Sequence, residues 1–341
     1  MFLSLGEIML RFCPGDKTLR DARQFTCTEG GGEYNVARAL SHCFKVPSRV
    51  ATSLVDNEVG QLVHQMILTA GVDTQHIVWR DFDGIGKEVR NPLYFAERGF
   101  GYRNPKAAMD RGHSAPSQLK VGDFDWDSIF SGGEIKWFHT GGIFAGLSET
   151  TAELAVEAMQ SAKKHGVHVS YDPNFRGSLW QARGGVKAAA ELNRELAAFA
   201  DTLFGVAPLL RAEAPPKDLD GLCQLIEETV AAYPQVKTVA LGRRHIQSAS
   251  IHDYAASVWH EGEFNHIDGF KNIPVLDRIG SGDAFAAGFI AGTFDGLSPA
   301  ESALQGAATS ALTMSTPGDS VLCSKAEVQN LAVNQSPSES R

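Results

Sequence analysis

The chain has 341 residues and a formal net charge of −9. This diffuse negative charge argues against a nucleic acid or an acidic membrane as a partner, because both require a clustered positive field. With 43% hydrophobic and 21% charged residues, the composition is typical of a globular protein with a sizeable core. The length predicts one large α/β domain with an appended piece, or two domains.

The cysteines and the N-terminal residues bear on the cellular compartment of the protein. The five cysteines are scattered and include no Cys-x-x-Cys pair, which predicts reduced thiols and no zinc site. Residues 1–9 contain Glu7 and lack a basic region, so they predict a strand and not a signal peptide. No apolar run reaches the roughly 18 residues that a membrane span needs. We therefore expect a soluble, cytoplasmic protein.

Short β-type runs alternate with longer helical runs along most of the chain, which predicts a parallel sheet covered by helices. The predicted strands cover 2–10, 48–55, 136–140, 167–171, 202–206 and 236–241. The predicted helices cover 35–44, 57–70, 149–165, 184–200, 220–232, 283–295, 299–314 and 325–332.

Two stretches, 11–30 and 87–118, interrupt this alternation with short β-prone pieces and no long amphipathic helix. They predict a small β flap over the main sheet, although two surface loops are the alternative. The predicted α/β core then consists of three pieces, and a flexible polar tail follows it. The core covers 1–10, 31–86 and 119–333, and the tail covers 334–341.

The strongest local motif is Asp277-Arg-Ile-Gly-Ser-Gly-Asp283, at a strand-to-helix turn. Glycines at 280 and 282 let the backbone approach a ligand, and the helix that follows directs free N–H groups and its positive dipole end toward an anion. Asp283 would repel a bound phosphate unless it served as the base for the attacking hydroxyl. A simple helix N-cap is the alternative role for this aspartate.

Residues 277–289 resemble the C-terminal signature of the ribokinase-like sugar kinases, also called the phosphofructokinase B family. Residues 30–40 resemble the N-terminal glycine motif of the same family, so the resemblance covers nearly the whole chain. It implies a three-layer αβα domain with a small β-sheet lid, and the flap corresponds to that lid. It also implies ATP and Mg²⁺ as cofactors, Asp283 as catalytic base, and Gly280, Ser281 and Gly282 as the anion hole.

Within that family the chain most resembles the 2-keto-3-deoxygluconate kinases. The marks are Gly31-Gly-Glu-x-Asn35, Asp110-Arg-Gly-His-Ser-Ala115 and Tyr171-Asp-Pro-Asn-Phe-Arg176. The carboxylate of such a sugar acid favours a guanidinium, for which Arg111 and Arg176 are the candidates. By resemblance Arg176 is the stronger of the two, and an ordinary surface salt bridge is its alternative role.

The resemblance implies further substrate contacts from Gly31, Gly32, Asn35, Tyr94 and Asn174. A half-buried lid position explains Tyr94 nearly as well. For the nucleotide the resemblance indicates Gly242 and the segment from Ala307 to Gly318, positions that core packing explains equally well. The three histidines near these segments, His113, His139 and His245, lack metal-ligand spacing and are expected to be structural.

One feature departs from the family pattern. After the strand at 202–206 the family has Asn-x-x-Glu, which orders magnesium, whereas this chain has no acid before Glu213. Three interpretations stay open: Glu213 substitutes for the missing glutamate, ATP and water hold most of the Mg²⁺, or activity is impaired. The second is physically acceptable, since magnesium keeps several waters and binds substrate phosphates.

The sequence thus predicts an ATP-dependent kinase for the primary hydroxyl of 2-keto-3-deoxygluconate. A fructokinase or another ribokinase-like kinase is the first alternative, and a catalytically weak sugar-acid or nucleotide-binding protein is the second. A dinucleotide dehydrogenase is disfavoured, because no Gly-x-Gly-x-x-Gly follows the first strand. Lids of this kind can pair between subunits, so a homo-oligomer is compatible with this prediction.

Overall fold

The computed structural model describes residues 1–206, 216 and 218–334. The strands are β1 Phe2–Leu5, β2 Met9–Cys13, β3 Thr26–Gly30, β4 Ser48–Val55, β5 Asp73–Arg80, β6 Leu93–Glu97, β7 Lys106–Asp110, β8 Trp137–Gly141, β9 His168–Asp172, β10 Thr202–Leu203, β11 Thr238–Ser248, β12 Ile251–His260 and β13 Glu263–Pro274. The helices are α1 Gly32–His42, α2 Glu58–Thr69, α3 Trp126–Ser131, α4 Gly142–Ala145, α5 Glu149–Lys164, α6 Gly177–Trp180, α7 Gly185–Ala197, α8 Leu219–Ala232, α9 Ser281–Phe294, α10 Pro299–Met314 and α11 Lys325–Asn334.

The main sheet of the described residues has the strand order β13-β12-β11-β10-β9-β8-β1-β4-β5. Seven neighbouring strands of this sheet run parallel, as the alternation predicted. In spatial order they are β11, β10, β9, β8, β1, β4 and β5. Because parallel strands end at the same edge of a sheet, the carboxyl ends of β1, β8 and β9 lie side by side. This edge carries the candidate site.

Helices cover both faces of the main sheet and divide the core into two hydrophobic clusters. Helices α1, α2, α9 and α10 contribute buried residues to one cluster, and α3, α5, α7 and α8 contribute to the other. Helix α9 is buried almost all round, from Ala284 to Gly292, because α10 packs along it. The predicted three-layer αβα class is therefore confirmed. Among the described residues, none of the helices combines the length and apolar character that a membrane crossing requires.

A second sheet, here called the small sheet, has the strand order β3-β2-β6-β7. Apart from Met9 and Leu10 at the start of β2, its strands come from the two stretches that the sequence assigned to a β flap. The prediction of one strand over 2–10 was wrong, because the chain leaves the main sheet after Leu5 and enters the small sheet at Met9. Glu7 lies between the two strands, and its backbone packs closely against Gly31. A Cβ built on Gly31 would lie 1.9 Å from the Glu7 carbonyl oxygen.

The antiparallel pair β12 and β13 extends the main sheet, and the sequence analysis assigned no element there. The two strands join through a two-residue turn at Glu261 and Gly262, with φ angles of 44° and 100°. Two left-handed residues give the hairpin turn that matches strand twist. Glutamate is an uncommon residue at such a position, so the turn has a weak sequence signal. Strand β11 is also longer than predicted, because it pairs with β12 along most of its length.

Candidate active site

The start of α9 forms an anion-binding position. Gly280 precedes the helix with φ 80°, and a Cβ at this residue would lie 2.0 Å from the carbonyl oxygen of Asp319. The first hydrogen bond of the helix runs from the Ala284 amide to the Gly280 carbonyl, at 2.8 Å. The preceding amides, including that of Gly282, therefore have no partner within the helix and mark its positive end. Apart from its chain neighbours and the backbone of α9, no heavy atom lies within 4 Å of a Cβ built on Gly282, so this face is open to a ligand.

Asp283 lies in the first turn of α9, and the N-cap position belongs to Gly280, without any side-chain cap. The N-cap alternative for Asp283 is therefore wrong. Its carboxylate accepts a hydrogen bond from Asn35 Nδ2 at 2.7 Å, and the Asn35 side-chain oxygen accepts from the Gly31 amide at 3.3 Å. A Cβ on Gly32 would lie 3.8 Å from the Asp283 carboxylate. The structure thus brings four predicted residues together, with Asn35 fixing the orientation of Asp283.

Ser281 is buried and is held by hydrogen bonds to its neighbours. Its carbonyl accepts hydrogen bonds from Ser310 Oγ at 2.8 Å and from the Tyr254 hydroxyl at 3.3 Å. Its own hydroxyl donates to the Arg278 carbonyl at 3.1 Å. Tyr254 on β12 was absent from the predicted site, whereas Ser310 on α10 lies within the segment from Ala307 to Gly318 that the resemblance indicated for the nucleotide. They fix the turn from which the free amides of α9 project.

Three carboxyl groups, those of Glu33, Asp172 and Asp283, line one pocket with Gly32 and Asn174. Desolvation raises the pKa of all three, to about 8 for Glu33, about 7 for Asp172 and about 6 for Asp283. The negative charge of Asp283 adds to the rise at the other two, while the Asn35 hydrogen bond opposes it at Asp283. Asp283 is therefore the first of the three to ionise, which suits it to act as a base near neutral pH.

Arg176 is exposed just beyond β9, on the same edge of the sheet as Asp283. Its Nη1 donates to the Asn174 side-chain oxygen at 2.6 Å and to the Phe175 carbonyl at 3.2 Å. Its positive charge lowers the pKa of both Asp172 and Asp283, so it lies near the pocket. Within the part of the chain that the structure describes, Arg176 forms no salt bridge. The surface salt-bridge alternative therefore has no support, and the guanidinium is free for an anionic ligand.

Two further arginines, Arg244 and Arg278, lie near Arg176 and were missed by the sequence analysis. Loss of hydration lowers the pKa of Arg244, and the positive charges of Arg278 and Arg176 lower it further. Arg244 also donates to the Arg278 carbonyl at 3.5 Å. Arg278 lies inside the 277–283 motif and Arg244 lies two residues after Gly242, but single arginines carry no local signal of a cluster. Together with Arg176 they give this end of the site a positive charge that complements phosphate or carboxylate.

Arg111 and Tyr94, both candidate substrate contacts, are engaged inside the protein, and for Tyr94 a lid position was the alternative role. Arg111 pairs with the buried carboxylate of Glu7. Tyr94 is 2% exposed, and its hydroxyl donates to Asp319. The structure therefore places Tyr94 in a buried polar cluster, and of the two candidate guanidiniums it leaves Arg176 without a salt bridge among the described residues.

The predicted nucleotide residues occupy packing and turn positions. A Cβ on Gly242 would lie 2.0 Å from the Tyr254 hydroxyl oxygen, so this glycine makes room for the tyrosine. Ala307 is fully buried in the core and cannot touch a bound nucleotide. Gly318, with φ 99°, forms the turn before Asp319 and has no neighbour within 4 Å of a Cβ position. Of the three, only Gly318 has space beside it for a ligand.

Glu213, the candidate magnesium ligand, lies outside the described residues. Across 1–206, 216 and 218–334, no group of three or more His, Cys, Asp or Glu side chains is arranged to hold a metal ion. His139 is buried and bonded to Ser170, in agreement with the expected structural role. The described residues therefore provide no ready set of protein ligands for Mg²⁺.

Comparison with known proteins identifies the family. The family model described as pfkB family carbohydrate kinase matches residues 2–326. The chain belongs to this family. The matched range contains the Gly280 to Asp283 turn and the glycine motif at the start of α1, which the hydrogen bond between Asn35 and Asp283 joins.

Named members of the pfkB family resemble the chain over most of its length. The 2-dehydro-3-deoxygluconokinase of Bacillus subtilis is 26% identical and covers 93% of this chain and 90% of its own. The 2-dehydro-3-deoxygalactonokinase of Haloferax volcanii is 27% identical, with 96% and 95% covered. The crystal structure of 2-dehydro-3-deoxygluconokinase from Thermotoga maritima superposes with a TM-score of 0.88 at 30% identity, and 98% of each chain is covered.

Proposed function

We propose that this pfkB-family protein transfers the γ-phosphoryl group of ATP to the primary hydroxyl of 2-keto-3-deoxygluconate, also named 2-dehydro-3-deoxygluconate. The observation that carries the proposal is the position of Asp283. Its carboxylate stands in the first turn of a helix with an open, positive N-terminus. Such an arrangement accommodates an incoming anion and a base for the hydroxyl that attacks it.

The chain's own residues supply the steps of this transfer. Asp283, held by Asn35, accepts the proton of the substrate hydroxyl. The hydroxyl oxygen then forms a bond to the γ-phosphorus while the bond from that phosphorus to the β–γ bridging oxygen breaks, which releases ADP. The amides of Ser281 and Gly282 would stabilise the charge on the transferred group. Positioning and electrostatics supply most of the catalysis in such reactions.

A sugar acid is the substrate class that the charges favour. Arg176 offers an exposed guanidinium next to Asn174 that has no acidic partner among the described residues, and its fork of donors fits a carboxylate. A neutral ketose would leave this charge without a partner. The names of the Bacillus and Thermotoga relatives support the same substrate class, and the name of the Haloferax relative supports a stereoisomer of it.

Magnesium would enter this reaction as a companion of ATP. The described residues lack a metal-binding cluster, and Mg²⁺ commonly keeps several waters and binds substrate phosphates. We therefore propose MgATP as the nucleotide substrate and assign no protein ligand to the metal. With its glycine φ of 99° and open space, Gly318 is the nucleotide contact that we retain from the sequence prediction.

A coupled assay of ADP release across several sugars tests the function. The panel contains 2-keto-3-deoxygluconate, 2-keto-3-deoxygalactonate, gluconate and fructose, with the Asp283→Asn protein as the control for contaminating kinases. We expect kcat/KM for 2-keto-3-deoxygluconate to exceed that for fructose by at least about tenfold, which corresponds to about 1.4 kcal/mol. A preference for fructose would replace the proposal with a fructokinase, and no turnover of any sugar would leave a binding protein.

We also propose that the small sheet acts as a lid and joins two copies of the chain. Strand β7 is one of the two edge strands of this sheet, and all five of its residues are exposed. Phe100 and Tyr102, on the adjoining loop, are 74% and 105% exposed. An exposed strand edge beside uncovered aromatic residues is suited to pairing with another strand. The lid would comprise 11–30 and 87–118, and the kinase core would comprise 1–10, 31–86 and 119–333.

Light scattering of the purified protein tests this pairing. We expect a dimer at micromolar concentration, and we expect the double substitution Phe100→Ser and Tyr102→Ser to shift it to monomer. Ile85→Ser is the control, since Ile85 is 79% exposed but lies outside the small sheet. A monomeric wild-type protein would contradict the pairing.

A cytoplasmic location accords with this function. The reaction consumes ATP, and all five cysteines are free, as in proteins of reducing compartments. We therefore retain the cytoplasm as the proposed location. Fractionation of the source cells would test it.

A further inference from the structure

A buried polar cluster lies behind the start of α9. It consists of Arg11 on β2, Tyr94 on β6, and the carboxylates of Asp277 and Asp319, and we call it the Arg11 cluster. Arg11 Nη2 donates to Asp277, Arg11 Nη1 donates to Asp319, and the Tyr94 hydroxyl donates to the second oxygen of Asp319. The side chains of Arg11, Asp277 and Asp319 are 1%, 4% and 4% exposed. None of them reaches the surface of the pocket.

Arg11 supplies the positive charge that neutralises the buried carboxylates of Asp277 and Asp319. Burial by itself would lower the pKa of Arg11, but Asp319 and Asp277 raise it above its ordinary value, so the guanidinium stays charged. Burial raises the pKa of Asp319, and Arg11 opposes that rise. Without Arg11 two carboxylates would remain buried with no cation between them. Removing one partner of a buried ionic group is costly, because the charge left behind has neither water nor a counter-ion.

The two carboxylates belong to the two segments that shape the anion-binding turn. Asp277 begins the turn, and its other oxygen accepts the Ile279 amide at 3.1 Å. The Asp319 carbonyl sits against Gly280 at the contact that forbids a side chain there. The Leu276 and Asp277 amides both donate to the Met314 carbonyl, at 2.8 and 3.2 Å. The segments 276–280 and 314–319 are thus packed on each other, and Arg11 bridges them through their acidic side chains.

We propose that Arg11 is a positioning residue for phosphoryl transfer: its guanidinium fixes the two segments that set the position of the free amides of α9 and of Asp283. This inference rests on the proposed function but names no substrate. Because Arg11 belongs to the small sheet, the same contact links that sheet to the anion-binding turn. Arg11 does not touch a ligand, since it is 1% exposed, so it acts through the geometry of the turn alone.

Steady-state kinetics of Arg11→Ala give the first test, on whichever sugar the panel shows to turn over best. A displacement of about 1 Å at the reacting groups can lower the rate by about 10²-fold, so we expect kcat to fall by on the order of 30- to 100-fold. The KM for the sugar should change by less than about threefold, because the guanidinium does not contact it. The matched control is Arg98→Ala, which removes the Arg98 pair with Asp16, outside the Arg11 cluster. Both constants should stay near wild type in this control.

Chemical rescue separates positioning from a general loss of structure. Millimolar methylguanidinium can occupy the space that Arg11→Ala leaves and restore the missing cation. We expect it to raise kcat of Arg11→Ala by at least about tenfold, while Asp283→Asn and Arg98→Ala do not respond. If Arg11→Ala fails to fold, Arg11→Lys takes its place: a single ammonium cannot span both carboxylates, so kcat should fall with KM nearly unchanged. A wild-type kcat in either variant would overturn the proposal. A fall in kcat together with a large rise in KM, without rescue by methylguanidinium, would also overturn it.

Hydrogen exchange keeps the test independent of the reaction. Peptides covering 277–285 and 314–321 should exchange faster in Arg11→Ala, or in Arg11→Lys if the alanine variant does not fold, than in Arg98→Ala, with the rest of the core unchanged. If the wild-type protein phosphorylated no sugar, the proposed function would fail while this measurement still decided whether Arg11 holds the turn. Unchanged exchange in both peptides would overturn the inference even in an active kinase.

Discussion

Replacing Asp283 by asparagine is expected to lower kcat by at least about 10²-fold, the usual loss when a general base is removed. The fold and ATP binding should stay largely intact, because asparagine has the same shape and can still contact Asn35. The matched control is Asp295→Asn, at the other end of α9, where Asp295 pairs with Lys325 at 2.7 Å. Its kcat should stay near wild type. Calorimetric ATP titration and steady-state kinetics of both variants provide the measurement.

The pH profile of the same enzyme sharpens this prediction. Asp283 acts as a base only when ionised, and its pKa is raised to about 6. As the pH falls through this value the carboxylate takes up a proton, so kcat/KM of the wild-type protein should decline on the acid side with a midpoint near pH 6. The residual activity of Asp283→Asn should lack that decline. Near-normal turnover in the variant, or an unchanged acid limb, would contradict the role of Asp283 as base.

Replacing Arg176 by alanine is expected to weaken binding of the sugar acid and so tests the substrate class. The substitution would remove the proposed charge-assisted contact to the sugar carboxylate, a kind of contact that stabilises binding by roughly 1.5–3 kcal/mol. With about 1.4 kcal/mol for each factor of ten, the KM for 2-keto-3-deoxygluconate should rise by on the order of 10- to 100-fold. Turnover of fructose, where detectable, should change much less, because it has no carboxylate to lose.

The control for Arg176 is Arg183→Ala, which removes an arginine from the same region of the chain. Arg183 packs on the Trp180 ring and donates to the Gly146 carbonyl at 2.6 Å, so it has a structural role away from the pocket. Its loss should affect the sugar acid and fructose alike. Equal losses on both substrates in Arg176→Ala would mean that this guanidinium serves the phosphates or the fold instead of the carboxylate.

The sequence by itself determined the α/β class, most of the parallel strands and the long helices. These elements have strong local patterns: helix α10, predicted at 299–314, has the same bounds in the structure. The two glycine motifs were also legible, because a tight turn before a helix requires particular residues at fixed spacing. The family resemblance added the expectation that both glycine motifs belong to one active site. The two motifs meet in the hydrogen bond between Asn35 and Asp283, which lie 248 positions apart.

Only the tertiary structure decided which charged groups of the site are free and which are committed. Both Arg111 and Arg176 carry a guanidinium that could bind a carboxylate. In the structure Arg111 forms a salt bridge with Glu7, whereas no described acidic residue pairs with Arg176. Tyr94 was assigned to the sugar and proved to bond with Asp319, 225 positions away. Arg11 and Asp319 are 308 positions apart, so no local pattern could indicate their contact. Periodicity and turn chemistry act between near neighbours, whereas ion pairing and desolvation depend on which distant segments the fold brings together.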